Sequence, residues 1–200
     1  MCQGVGYIDC GNDASLNSTD TVAIESWFWL SDVSGYKIIL SKWGSSSRSY
    51  QMIVCHNKIC MHACGESGYY THVSSDQTLP VKEWIHAFGK YNGDYIEMYV
   101  NGVPDGTPVE LNEKIHIVPT NVEIGGRTFA GREDPMNGFI ATVRLYAGED
   151  FMVDEIHDLA LGRKMPTDFN CVLWHDYRLG HANDLTRNNN HGVIHNFIIA

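Results

Sequence analysis

The chain has 200 residues, 44% of them hydrophobic and 11% aromatic, which is enough to bury one sizeable core. Its 24 Asp and Glu residues outnumber 14 Lys and Arg residues, and the formal net charge of −10 excludes nucleic acid as an expected partner because phosphate backbones would be repelled. No apolar run approaches the roughly 20 residues of a membrane helix, so membrane insertion is also excluded.

Along the chain, short strand-like runs are separated by turn-forming clusters of Gly, Asn, Asp and Ser. The runs alternate apolar and polar residues and are rich in aromatic and β-branched side chains, as is typical of strands. Only residues 153–161 place apolar side chains at helical spacing. Because alternation leaves each sheet with one apolar face to cover, the pattern predicts an all-β fold, a two-sheet antiparallel β-sandwich with one short helix. In chain order, the predicted strands are residues 21–29, 36–43, 50–55, 59–63, 83–88, 95–100, 122–125 and 138–146.

The same alternation predicts the core. A Trp within a strand is more often a core residue than a platform for a sugar, so Trp27 and Trp84 are assigned to the interior. Trp43 differs, because it ends a strand beside the Ser-rich loop 44–47, where an exposed ring is expected. The predicted core residues are Ile24, Trp27, Ile39, Trp84, Ile96, Tyr99, Ile140, Val143 and Leu145.

The cysteines are too few and too irregularly spaced for a disulfide framework. A two-residue turn at 57–58 would place Cys55 opposite Cys60, so these two either form a disulfide or remain reduced strand cysteines. A zinc site at Cys55, Cys60, Cys64 and His62 is a further alternative, although it lacks a Cys-x-x-Cys motif. The six cysteines are at positions 2, 10, 55, 60, 64 and 171.

A series of motifs follows in fixed order through most of the chain. They are YIDCGNDASL at 7–16, TVAIESW at 21–27, EWIH at 83–86, YVNG at 99–102, IGG at 124–126, NGFIATVRLY at 137–146 and EI at 155–156. Together they resemble the landmarks of laminin-G-like domains in the concanavalin A-like lectin/glucanase superfamily. The resemblance implies a jelly-roll sandwich.

The end of the chain carries a second match to this family. VLWHDY at 172–177 and DLTRNNNHGVI at 184–194 resemble a motif that usually precedes the opening strand of these domains. Here it comes last, which predicts one circularly permuted domain over residues 1–200, with 172–200 supplying late strands. Alternatively, 172–200 begin a second, truncated repeat.

The resemblance makes calcium a candidate cofactor, since many members of the family bind one calcium at the sandwich rim and calcium requires hard oxygen ligands. The candidate ligands are Asn12 and Asp13 in the opening loop and Asp184 in the late motif. Two observations weigh against such a site. The Asp-Glu pair of the family's late strand is Ala141-Thr142 here, and Asn12-Asp13 is also ordinary turn sequence.

Sugar binding in such folds stacks aromatic rings on apolar sugar faces, while Asn, Asp and Arg side chains on rim loops bond the hydroxyls. Three loops have this composition, although each is also compatible with an ordinary surface loop. The candidate ligand-binding residues are Trp43, Arg48, Tyr69, Tyr70, Arg127 and Arg132.

Catalytic carboxylates of the kind used by hydrolases of this fold require Glu and Asp alternating on one strand, and no Glu-x-Asp-x-x-Glu occurs. The expected function is therefore a non-catalytic carbohydrate-binding or adhesion module whose partner is a glycan or polysaccharide. The alternatives are a structural domain of a virus particle or surface layer, binding copies of itself or a surface protein, and a glycoside hydrolase. The start of the chain lacks the features of a signal peptide. Localisation stays open, with an extracellular, cell-surface or virion-associated place favoured.

Overall fold

The computed structural model describes residues 6–128, 134 and 136–196. Two antiparallel sheets of seven strands each form the sandwich, as the alternation predicts. The strands, in chain order, are β1 (Tyr7–Asp9), β2 (Val22–Leu30), β3 (Tyr36–Trp43), β4 (Arg48–Cys55), β5 (Lys58–Cys64), β6 (Tyr70–Ser74), β7 (Trp84–Tyr91), β8 (Tyr95–Val100), β9 (Val103–Pro104), β10 (Val109–Glu110), β11 (Glu123–Ile124), β12 (Gly138–Ala147), β13 (Cys171–Asp176) and β14 (Val193–His195).

The order of strands across each sheet differs from their order in the chain. Sheet I runs β14-β1-β11-β3-β4-β5-β6, and sheet II runs β10-β8-β7-β2-β12-β13, with β9 paired to β8. Sheet I is therefore assembled from strands at both ends and in the middle of the sequence. Among the described residues, short 3-10 helices connect elements at Ala14–Leu16, Pro166–Asp168 and Tyr177–Leu179.

The core lies between the two sheets and is built from every second residue of the long strands. In β2, Ile24 and Phe28 are fully buried against the opposite sheet. Seven of the predicted core residues are buried, but Trp27 is only partly buried and Trp84 is 51% exposed. The prediction that Trp84 lies in the core is wrong. Trp84 pairs directly with Trp29 on the outer face of sheet II, because Ile85 takes the inward position at the start of β7.

Helix α1 (Val153–Ala160) confirms the one predicted helix. Ile156 and Leu159 are buried on a second apolar cluster that lies on the outer face of sheet II. Phe88 and Tyr146 supply the sheet side of that cluster. The helix thus covers part of a face that would otherwise be exposed.

The C-terminal segment contributes strands to both sheets. β13 pairs with β12 in sheet II, and β14 pairs with β1 in sheet I. Leu173 and Tyr177 belong to the central core, and the buried His175 ring hydrogen-bonds the Tyr177 hydroxyl and the Asn190 carbonyl oxygen. These contacts support the proposal that residues 172–200 supply late strands of the same sandwich.

The hairpin of β4 and β5 corrects the predicted cysteine register. The turn is at His56 and Asn57, which both have positive φ, and Cys55 therefore pairs with Lys58, while Cys60 faces Ile53. All the cysteines in the described ranges have free thiols; Cys2 lies outside them. The same ranges contain no cluster of three or more His, Cys, Asp or Glu side chains suited to a metal, which contradicts the zinc alternative.

Candidate functional site on the outer face of sheet I

A row of polar side chains crosses the outer face of sheet I. Side chains that lie directly opposite one another in neighbouring strands share a face of the sheet. Six strands each contribute one residue to the row, which reads Asp9, Glu123, Ser41, Gln51, His62 and His72. The flanking row contains Trp43 opposite Arg48, and Cys64 opposite Tyr70. Side chains that are far apart in the sequence thus meet on one surface.

Arg127 and Thr128, which follow β11, lie over the middle of this row. An Arg127 Nη donates to Gln51 Oε1 at 3.2 Å, and the other pairs with Asp134 at 2.7 Å. Arg127 is only 8% exposed, so the structure places this predicted ligand-binding residue as an internal brace. Arg132, the other arginine predicted near it, lies outside the described residues.

At one end of the row is an open pocket of about 410 Å³ that contains two carboxylates, those of Asp9 and Glu123. Asp9 accepts hydrogen bonds from the Gly11 backbone at 2.8 Å and from the Asn121 amide at 3.0 Å. Glu123 accepts from the Thr128 backbone N–H and hydroxyl. Burial, followed by the charge of Asp9, raises the pKa of the Glu123 carboxyl against the opposing Thr128 bonds. The pocket therefore offers fixed acceptors.

Trp43 forms a wall of this pocket and also borders an aromatic shelf on its other side. It was expected to be exposed, but it is only 7% exposed because other rings cover it. The Tyr70 ring meets it nearly perpendicularly at 5.5 Å between centroids, and the His62 ring does so at 5.8 Å. Trp43 thus connects an acidic pocket to a shelf of rings.

Arg48 completes the shelf. Its guanidinium carbon lies 4.6 Å from the centroid of the Tyr70 ring and 5.9 Å from that of Trp43. Next to it, the imidazoles of His62 and His72 are stacked at 4.6 Å. Burial, and then the charges of His72 and Arg127, lower the pKa of His62 to about 3, so its ring is neutral at pH 7.

Of the six predicted ligand-binding residues, the structure brings Trp43, Arg48 and Tyr70 into contact. Tyr69 precedes Tyr70 in the chain and is 59% exposed. Sequence reasoning missed the two pocket carboxylates and the histidine pair. Their alternation with apolar neighbours is visible in the sequence, but the pairing of β1 with β11 and of β11 with β3 is not.

The predicted calcium ligands already have protein partners. Asn12 accepts a hydrogen bond from the Lys42 ammonium group, and Asp13 caps the first 3-10 helix by accepting from the Ser15 backbone at 2.9 Å. Asp184 accepts four hydrogen bonds, from the Trp174, Thr186 and Asn190 backbones and the Thr186 hydroxyl. A shared calcium does not fit this donor set as it stands, because the ion would have to displace these donors. The calcium site stays a prediction.

Comparisons with known proteins place the chain among relatives of low identity. A proposed carbohydrate-binding protein from Bacteroides ovatus aligns at a TM-score of 0.72 with 14% identity, over 98% of this chain and 58% of that one. Domain 4 of an extracellular arabinanase from Geobacillus stearothermophilus, solved with arabinotriose, aligns at 0.56 with 15% identity, over 73% and 69%. The binding domain of botulinum neurotoxin DC in complex with SialylT aligns at 0.56 with 12% identity, over 72% and 36%.

These similarities show the fold, and the chain spans only 58% of the Bacteroides protein. None of the curated proteins compared with the sequence matches it. In the part of the chain that the structure describes, no helix is long and apolar enough to cross a membrane. A family model for the concanavalin A-like lectin/glucanases superfamily matches residues 3–154, and with the two-sheet sandwich this shows that the chain belongs to that superfamily.

Proposed function

We propose that this chain is a non-catalytic glycan-binding module whose binding surface is the Trp43 end of the outer face of sheet I. The observation that carries the proposal is the position of Trp43, between a pocket with two fixed carboxylates and a shelf formed by Arg48 and Tyr70. Sugars are bound by aromatic rings against their apolar faces and by fixed polar groups at their hydroxyls, and both lie here within one surface.

The environment of the two carboxylates supports binding over hydrolysis. Both oxygens of Glu123 accept from Thr128, and both oxygens of Asp9 accept from Asn121. A hydrolase would need one of the pair to donate a proton to the leaving group and the other to attack or to activate water. Carboxylates held as acceptors suit the recognition of sugar hydroxyls.

The comparisons support a glycan partner, since the neighbours include a proposed carbohydrate-binding protein and a domain solved with arabinotriose. A module of this kind would act in an extracellular or surface setting. A structural role in a particle or surface layer is the competing function, and it predicts self-association without glycan binding.

The proposal is tested on a glycan array with the wild-type chain, with and without calcium, followed by calorimetry on the glycans that bind. We expect Tyr70→Ala to weaken binding about tenfold, because the variant lacks the ring that would be buried against the sugar. Tyr95→Ala is the matched control, since Tyr95 has the same 44% exposure as Tyr70 but lies in sheet II.

If Tyr70→Ala bound glycans as tightly as wild type, the binding site would lie elsewhere on the molecule. A silent array together with self-association in light scattering would favour the structural role, and release of reducing sugar from any polysaccharide would overturn the assignment as non-catalytic.

A further inference from the structure

Among the residues that the structure describes, Arg48 is a cation without a carboxylate partner, in a chain of net charge −10. Most lysine and arginine side chains in the described ranges lie within 4.0 Å of an Asp or Glu, as Arg127 does with Asp134 and Arg144 with Glu25. Arg48 makes no such ion pair there, and its buried Nε has no hydrogen-bond partner. Four other cations in those ranges also lack an ion pair, so what marks the shelf is the combination of this absence with the two aromatic rings beside Arg48.

The guanidinium group is nevertheless held in place. The Tyr70 and Trp43 rings contact it at 4.6 and 5.9 Å, measured from the guanidinium carbon to the ring centroids. A guanidinium that lies over an aromatic ring can keep N–H groups, which lie in its own plane, free to donate. A planar fork of donors, oriented in advance, is the geometry that binds a carboxylate with two parallel hydrogen bonds.

The shelf and the pocket differ in whether their polar groups have hydrogen-bond partners. Both ring nitrogens of His62, like Arg48 Nε, are buried without a partner, whereas the Asp9 and Glu123 carboxylates in the pocket have their donors. Buried polar atoms are nearly always hydrogen-bonded in a complete structure. Of these two regions, the unmet hydrogen bonding therefore lies on the Arg48 side of Trp43, and the Asp9 and Glu123 carboxylates lie on the other side.

We propose, on the basis of the function proposed above, that the glycan is acidic. A sugar carboxylate binds Arg48 on the shelf, and a neighbouring uncharged sugar occupies the pocket beside Trp43. Arg48 and the two pocket carboxylates lie on opposite sides of Trp43, and this arrangement fixes the direction in which the glycan binds. Asp9 and Glu123 would repel an acidic sugar from the pocket, whereas they would accept hydrogen bonds from the hydroxyls of a neutral sugar.

The test compares acidic glycans with matched neutral ones. Uronate- and sialate-containing oligosaccharides are paired with their methyl esters, and sulfated oligosaccharides form a separate arm. We expect wild type to bind the carboxylate form about ten- to a hundredfold more tightly than its ester, the range for a charge-assisted bidentate pair. The preference should shrink at high ionic strength, because Arg48 is only half-buried.

Arg48→Gln should abolish the preference while leaving the weaker binding of the ester. Arg48→Lys should restore only part of it, because a lysine keeps the charge without the planar fork. Arg187→Gln is the control, since Arg187 is also without an ion pair in the described residues but is exposed and lies in the late segment. Thermal melting of each variant checks that the fold is retained.

Four outcomes would overturn the proposal. If acid and ester bind equally, or if Arg48→Gln keeps the preference, the inference fails while glycan binding itself stands. If sulfated glycans are preferred over carboxylates, the assignment of a carboxylate is wrong. If no glycan of either charge binds, the proposed function and the inference fail together.

Discussion

At the scale of single residues, the fully buried Glu25 carboxylate is the centre of a charged network on the outer face of sheet II. It accepts hydrogen bonds from Arg144 at 2.5 Å, from the Tyr146 hydroxyl and, at 3.1 Å, from His86. Burial alone would raise its pKa, but the His86 hydrogen bond and the Arg144 charge outweigh burial and lower the pKa to about 2. The carboxylate is therefore charged in the folded chain over the whole neutral range.

Replacing this carboxylate should be costly. Glu25→Gln leaves the Arg144 charge buried without its partner, and we expect the free energy of unfolding to fall by about 3 to 5 kcal/mol, the usual cost of breaking a buried pair. Because the folded pKa lies below the unfolded value of 4.5, the contribution is present above pH 4.5 and is lost as the pH falls towards 2. Urea unfolding of wild type and variant at several pH values measures it.

The exposed Glu83→Gln should leave the urea midpoint unchanged and serves as the control. The assignment of Glu25 would be contradicted if Glu25→Gln had the same midpoint as wild type at neutral pH, or if the difference between them grew on acidification.

Also at the scale of residues, two tryptophans show what alternation predicts and what it does not. Alternation gives the face on which a side chain lies, but exposure depends on what covers that face. Trp84 and Phe88 share the outer face of sheet II, yet Phe88 is buried under helix α1 and Trp84 is 51% exposed. Trp43 lies on the outer face of sheet I and is covered by Tyr70, which enters from a distant strand. The sequence alone shows neither that helix α1 covers Phe88 nor that Tyr70 covers Trp43.

At the scale of elements, most strands could be predicted within a few residues, because alternation is a local property. The predicted 36–43 and 95–100 coincide with β3 and β8. β6 and the two-residue strands β9 and β10 were missed, and in β6 only Val73 of YTHVS is buried. The hairpin of β4 and β5 was found, but its turn was placed one residue late. That shift changes every pair in the register, and with it the position of Cys55 relative to Cys60.

The turn itself makes a prediction. Asn57 has φ of 70°, a left-handed conformation that Asn and Gly adopt more readily than other residues. Asn57→Ala should lower the free energy of unfolding by about 1 kcal/mol, the cost of this conformation for an ordinary side chain, and Asn57→Gly should not. Urea midpoints of the two variants decide the matter. A larger loss in the glycine variant than in the alanine variant would show that the Asn57 side chain, and not its backbone conformation, matters.

At the scale of the whole molecule, the candidate site could be predicted only in part. Trp43, Arg48 and Tyr70 were recognised by composition, because aromatic and arginine residues in loops are common in sugar sites. The carboxylates of Asp9 and Glu123 could not be, since β1, β11 and β3 are neighbours only after the chain has crossed between sheets. The acidic pocket is thus a product of topology, and its contrast with the Arg48 shelf exists only in the assembled sandwich.

The same topology makes the last strands indispensable to the first. β14 pairs with β1, whose Asp9 lines the pocket, and Val172, Leu173 and Tyr177 are buried in the central core. A chain ending at residue 170 loses these three side chains, each contributing about 1.5 to 3 kcal/mol, and the sum approaches the whole stability of an ordinary domain. We therefore expect residues 1–170 to lack cooperative thermal unfolding, and the full chain nicked by trypsin near Arg163 to keep its fragments associated in gel filtration. A cooperative melt of residues 1–170 within a few degrees of the full chain would instead mean that residues 172–200 belong to a second, truncated repeat.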